Sequence, residues 1–169
     1  MKFLVRGLMV IAALVALIIV VGLFLPRDHA ASVEVTYATA PPEVWAAMER
    51  VEEYPAWRRG IDSVALLQDR DGRRAWREFT GRGGMSMGVE ESDPGRRWVV
   101  RILDDDLPFG GTWTYELSPD GAGTRLVLTE EGSVYNPIFR FVSRFIMGHD
   151  ATMRAWTDDL RAHLGEADA

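Results

Sequence analysis

The sequence contains no cysteine. That removes disulfides, thiolate nucleophiles, zinc–thiolate sites and iron–sulfur ligation together. Histidine is scarce: His29, His149 and His163 are the only imidazoles in 169 residues. A multi-histidine metal centre would need nearly all of them, and no metal or cofactor is expected. Positive charge is in deficit, with 19 Lys and Arg against 25 Asp and Glu, a net charge of -6. Residues 1–31 carry Lys2, Arg6 and Arg27 against Asp28, so the rest of the chain carries the whole acidic excess. An acidic domain is a poor partner for phosphate backbones, and no nucleic-acid partner is expected. There is no internal repeat and no low-complexity tract. A composition of 47% hydrophobic and 26% charged residues fits one globular domain.

What the chain does have is a long apolar run, Phe3 to Leu25, uncharged from Gly7 onward. At 1.5 Å per residue that uncharged stretch reaches about 28 Å, close to the thickness of a bilayer's hydrocarbon core. A cleaved signal peptide is the competing reading, but its apolar region is usually shorter. The segment Arg27-Asp28-His29-Ala30-Ala31 also puts charged or bulky groups where cleavage wants small residues. The expectation is a single-span anchor with linker over residues 1–31 and a soluble domain over 32–169. Lys2 and Arg6 before the span favour an internal N-terminus and an extracytoplasmic domain.

Beyond the linker, Ser32–Thr39 alternates apolar and polar residues as a strand does. Ala40-Pro41-Pro42-Glu43 opens a helix, since proline suits the first turn and Glu43 the positive end of the dipole. Tyr54–Trp57 makes a second short helical turn that ends near Gly60. Six strand-like runs follow: Ser63–Gln68, Arg74–Thr80, Met85–Glu91, Trp98–Leu103, Thr112–Leu117 and Thr124–Glu130. Turn signals such as Asp71-Gly72, Asp93-Pro94-Gly95 and Pro119-Asp120-Gly121 separate them and indicate an antiparallel meander. A single long helix is expected from Pro137 to Leu164, its apolar stripe running from Ile138 through Phe145 to Trp156 and Leu160. The order predicts an α+β fold: a curved seven-stranded antiparallel sheet around a long C-terminal helix, plus an N-terminal transmembrane helix. A strongly curled sheet leaves a cavity beside a straight helix.

Several segments carry a family likeness. They are Ala40-Pro41-Pro42-Glu43-Val44-Trp45, Tyr54-Pro55-Ala56-Trp57, Pro108–Leu117, Asp120–Leu126 and Asn136-Pro137 before the terminal helix. In this order they resemble the START-related helix-grip superfamily, the SRPBCC proteins that include polyketide cyclases/dehydrases and lipid-transport proteins. The similarity spans about residues 32–165. It implies a pocket for a hydrophobic small molecule beneath the terminal helix, and it implies no particular reaction.

Candidate chemistry is thin. Gly84-Met85-Ser86-Met87-Gly88 matches G-x-S-x-G, with Asp104–Asp106 and His149 following in hydrolase order. The match lacks its strand-to-helix elbow, because Val89-Glu90-Glu91 continues a strand. Gly81–Gly84 lacks the lysine of a phosphate loop and reads as a turn. Asp104-Asp105-Asp106 lacks EF-hand spacing and reads as a solvated loop. His149 lies on the apolar stripe beside Gly148, which leaves room for a ligand's polar end. Glu78 and Glu130 are weaker candidates. The expected ligand-binding wall is Trp76, Met85, Met87, Trp98, Trp113, Tyr115, His149, Met153 and Trp156, with no catalytic set. Ile138–Met147, apolar nearly all round, could touch lipid as well as core.

The leading expectation is a membrane-tethered binding module for a lipid, isoprenoid or polyketide-like compound. The alternative is a cyclase or dehydratase using His149 and Glu78 as acid and base. A third reading is an envelope interaction module with no ligand.

Overall fold

The computed structural model describes residues 2–69, 72–81, 83–148 and 150–166. Helix α1 spans Lys2–Phe24, and strand β1 (Asp28–Tyr37) follows after only three residues. Helix α2 (Pro41–Glu49) starts on its two prolines, with Glu43 in the first turn. A 3-10 turn leads to the short helix α3 (Tyr54–Trp57). The strands β2 (Ser63–Leu66), β3 (Ala75–Thr80), β4 (Gly83–Asp93), β5 (Arg97–Ile102), β6 (Phe109–Asp120) and β7 (Gly123–Val134) then run consecutively. They form one curved antiparallel sheet in the order β1-β7-β6-β5-β4-β3-β2. The first strand thus closes against the last, and β4 carries a bulge between Val89 and Glu91.

Two boundaries differ from the sequence reading. Strand β1 begins at Asp28, four residues before Ser32, because β7 continues to Val134 and pairs His29 with Gly132 and Ala31 with Glu130. The expected linker is therefore mostly strand. The C-terminal helix is also divided. Helix α4 (Pro137–Val142) passes into a π turn at Ser143–Met147, and helix α5 (Ala151–His163) starts afresh. The break falls at Gly148, whose φ of 77° and ψ of 152° put it in a region that glycine alone occupies readily. The apolar stripe holds only in α5, where Met153, Trp156 and Leu160 are buried, while Ile138 and Phe145 are exposed.

Inward residues of the sheet face α2, α3 and α5 across one core. Val44, Met48, Val51 and Tyr54 meet Leu126, Leu128, Met153 and Leu160 there, all almost fully buried. Helix α5 is pinned at several points. The Tyr37 hydroxyl donates to the Thr157 carbonyl at 3.1 Å, and Arg161 donates to the Thr36 carbonyl at 2.8 Å. Asp159 accepts from the Arg59 backbone N–H at 2.9 Å and pairs with its guanidinium. Helix α4 instead packs on α1. Asn136 caps α4, its Oδ1 accepting from the Ile138 N–H at 2.9 Å.

Candidate ligand site

The inward faces of the strands are set by register. One cross-strand row runs Ala31–Glu130–Trp113–Val100–Val89, and a second runs Val33–Leu128–Tyr115–Trp98. Strand β3 adds Trp76 opposite Met87 and Glu78 opposite Met85. The residues expected to line a cavity therefore share one face of the sheet, with α5 supplying Met153 and Trp156 across from it.

Their environments fall into two groups. Trp76, Trp98, Tyr115 and Trp156 stack in series, with ring centroids 5.9, 5.4 and 4.9 Å apart. Trp57 continues the series 6.0 Å from Trp156. Met87 and Met153 are buried beside these rings. The rings thus pack mainly on one another and close the region under α5. Met85 and Trp113 are only partly buried, as are Ile102 and Ala31. These four sit toward the end of the sheet nearest α1. His149 lies outside the described residues.

Three polar features sit on this apolar face. Glu78 is 4% exposed and accepts from Arg58 at 2.8 Å and from the Trp76 indole at 3.0 Å. Burial pushes the Tyr115 phenol well above its ordinary pKa, with Tyr54, Arg58, Glu78 and Glu130 as its charged or ionisable neighbours. At the end nearest α1, His29 Nε2 lies 3.5 Å from Glu130 Oε1. Burial lowers the His29 pKa against the opposing pull of Asp28, which favours the uncharged imidazole. Gly132 makes room for this pair, because a Cβ there would sit 2.6 Å from the His29 ring. The Trp156 and Trp57 indole N–H groups are buried with no hydrogen-bond partner among the described residues.

Sequence reasoning raised Glu78 and Glu130 as candidates but not their partners. Arg58 lies 20 residues from Glu78, in the turn after α3, and nothing local announces the pair. His29 could have been found by extending the alternation of β1 back through Ala31.

The other motifs resolve structurally. Ser86 lies inside β4, its N–H donating to Asp104 at 2.6 Å and its hydroxyl accepting from Arg77 at 2.8 Å. No nucleophile elbow exists there. Burial works against the Asp104 carboxylate, but Ser86 and Arg77 outweigh it and hold its pKa below the usual range. Among the described residues no group of His, Asp and Glu is placed to hold a metal ion. A wide-open depression of about 480 Å³ lies where β1 and β7 approach α1, lined by Asp28, His29, Ala30, Glu131, Gly132 and Ser133. Its lining mixes polar and apolar surface, and it shares Asp28, His29 and Gly132 with the features above.

The family model for polyketide cyclase/dehydrase and lipid transport matches residues 28–166. The chain belongs to this family. Solved structures agree in fold. The Zhui aromatase/cyclase from Streptomyces sp. R1128 superposes with a TM-score of 0.66 at 19% identity, covering 82% of this chain and 92% of that one. A START superfamily protein from Mycobacterium smegmatis gives 0.66 at 17% identity, over 81% and 97%. Norcoclaurine synthase from Thalictrum flavum gives 0.63 at 13% identity, over 83% and 88%. No curated protein matches the sequence. At such identities the likeness carries the polyketide cyclase/dehydrase fold alone. The family's helix-grip arrangement is present, with α5 as the gripped helix. The apolar helix α1 lies before the matched region, and it is long and apolar enough to cross a membrane.

Proposed function

We propose that this chain is a membrane-tethered binding module for a hydrophobic small molecule. The guest lies on the concave face at its open end, against Met85, Ile102 and Trp113, with the ring series from Trp76 to Trp156 as the floor. The observation that carries this reading is the partly buried apolar set beside a polar rim: Trp113 stands directly opposite Glu130, which faces His29. Apolar burial supplies affinity at about 25 cal/mol per Å², and the rim fixes the polar end of a lipid, isoprenoid or polyketide-like guest. Helix α1 holds the domain at the bilayer that dissolves such compounds, and Lys2 and Arg6 favour an extracytoplasmic domain.

The test is mass spectrometry of organic extracts from the full chain purified in mild detergent, with fluorescent fatty-acid and isoprenoid probes as a second arm. Trp113→Ala is expected to weaken probe binding by about 1–2 kcal/mol, roughly five- to thirtyfold. A chain that carries no extractable compound and binds neither probe overturns the reading.

One observation favours an enzyme as the second reading. The His29 imidazole, 3.5 Å from Glu130, is placed to act with it as an acid–base couple at the same rim, whereas Glu78 is held in an ion pair. His29→Gln would then abolish turnover of a bound polyketide while leaving binding intact, and turnover unchanged by this substitution removes the enzyme reading.

A further inference from the structure

The apolar surface outside α1 is unevenly placed. Ile138, Phe139, Phe145 and Ile146 are 40–70% exposed on α4 and the π turn. Tyr135 and Phe109 are exposed beside them, at the α1-proximal ends of β7 and β6. The segment from Pro137 to Met147 contains no acidic residue, although the domain as a whole is acidic.

This segment is joined to the anchor. A Cβ at Gly22 would lie 2.0 Å from the Pro137 carbonyl oxygen, so α1 and α4 touch backbone to backbone and only glycine permits it. Arg140 donates to the carbonyls of Val134 at 2.7 Å, Tyr135 at 3.1 Å and Gly22 at 3.5 Å, tying strand end, turn and anchor together. On α1, Ile18, Ile19, Val21 and Gly22 are the residues that lose exposure, as do Phe141 and Val142 on the other side. Helix α4 therefore runs back along the last turns of α1. From Leu25 to Ile18 the rise is about 10 Å, which matches the depth of about 5–10 Å at which interfacial helices lie. Arg144 is exposed with a long stem that can reach headgroups. Arg27 lies over the Tyr135 ring at 4.4 Å, a cation–aromatic pair of the kind that suits the interfacial zone.

We propose that residues 137–147 form a second, interfacial contact with the bilayer beside α1, holding the domain at two points with its open end against the lipid. The occupant of the exposed apolar face is thus the membrane surface. The inference rests on the reading of α1 as a membrane anchor.

Because the chain has no cysteine, single thiols report position cleanly. Phe139→Cys, Phe145→Cys and Ile146→Cys in the full chain are labelled with an environment-sensitive fluorophore and reconstituted into phosphatidylcholine–phosphatidylglycerol vesicles. Spin-labelled lipids and aqueous iodide serve as quenchers. Leu14→Cys on α1 is the buried reference. Asp120→Cys, at the far end of β6, is the aqueous one. The expected result is lipid quenching at 139, 145 and 146, at a depth shallower than Leu14, with the label at 120 quenched by iodide only. Quenching of the three labels by iodide only, with Leu14 still quenched by lipid, overturns the inference and leaves the anchor reading standing. If the Leu14 label is also unquenched by lipid, both fall. Label-to-label energy transfer between chains that disappears on dilution with unlabelled protein, without lipid quenching, assigns the face to a second copy and also overturns the inference.

Discussion

Replacing Arg58 with methionine tests whether the face beneath α5 is dry. The Arg58 and Glu78 side chains are 16% and 5% exposed, and the bond between them is 2.8 Å. Removing one partner of a buried ion pair leaves an uncompensated charge, at a cost of about 3–5 kcal/mol. Arg58→Met leaves the Glu78 carboxylate with the Trp76 indole as its remaining donor. It also removes the guanidinium stacked 4.6 Å from the Tyr54 ring, a contact worth about 0.5–1 kcal/mol. Glu78→Gln is milder. The amide oxygen still accepts from Trp76, and Arg58 has an exposed edge through which water can solvate it, so about 1–2 kcal/mol is expected. In Arg58→Met/Glu78→Gln no charge is stranded. The double variant should therefore lose less than the sum of the single ones, with a coupling of about 2–3 kcal/mol. The assay is urea unfolding of the full chain in mild detergent at pH 7, followed by tryptophan fluorescence. Single losses that add, or Arg58→Met within 1 kcal/mol of the parent, would mean that water screens the pair. A wet interior there would also undercut burial of an apolar guest as the driving force.

Two other perturbations probe the C-terminal segment. Gly148→Ala places a side chain where φ is 77° and ψ is 152°, and should destabilise the protein by about 1–3 kcal/mol in the same urea assay. Glu166 accepts from the Thr39 N–H at 2.8 Å and hydroxyl at 2.7 Å and from Arg161 at 3.2 Å. Burial disfavours its charge, but these donors outweigh burial and lower its pKa. Its stabilising effect is complete above the ordinary value of 4.5 and is lost as pH falls through the depressed folded-state value. The urea midpoints of the parent and Glu166→Gln should therefore converge in acid, and a constant gap from pH 7 down to 3 would contradict the assignment.

The sheet was legible because alternation is a local property. Trp98/Val100/Ile102 and Leu126/Leu128 mark their inward face without reference to any other strand, and the inward set recurs across the observed register. The start of β1 was hidden because Asp28 and His29 are polar and the pairing that orders them comes from β7, a hundred residues away. The helix break was misread for a related reason. Phe141 and Phe145 continue the spacing of α5, so periodicity bridges a point where the backbone turns aside. Gly148 was legible as open space, but its positive φ is a property of the chain path. Candidate liners could be chosen by face but not by depth. Trp98 and Trp113 alternate with the same phase, yet Trp98 is buried and Trp113 only partly so. Which end of a face is covered depends on where α5 lies, and no spacing within a strand carries that.

Arg140 links these levels. A guanidinium has five donors in a fixed fork and no acceptor. Here it serves carbonyls from the end of β7, from the turn after it and from the last turn of α1. Those carbonyls would otherwise be terminal groups left unpaired by sheet and helix. One side chain therefore satisfies the ends of three segments and joins them mechanically. Glu130 lies four residues before Val134 on β7, roughly 13 Å from that strand end. The rim of the proposed site is in this way tied to α1 through Arg140 as well as through the three residues between α1 and β1. A freely tethered domain would present its opening to lipid only by chance. If α1 spans a bilayer as proposed, a domain held at Arg140 would present the proposed site in one orientation, which is what exchange of an apolar guest with a bilayer requires.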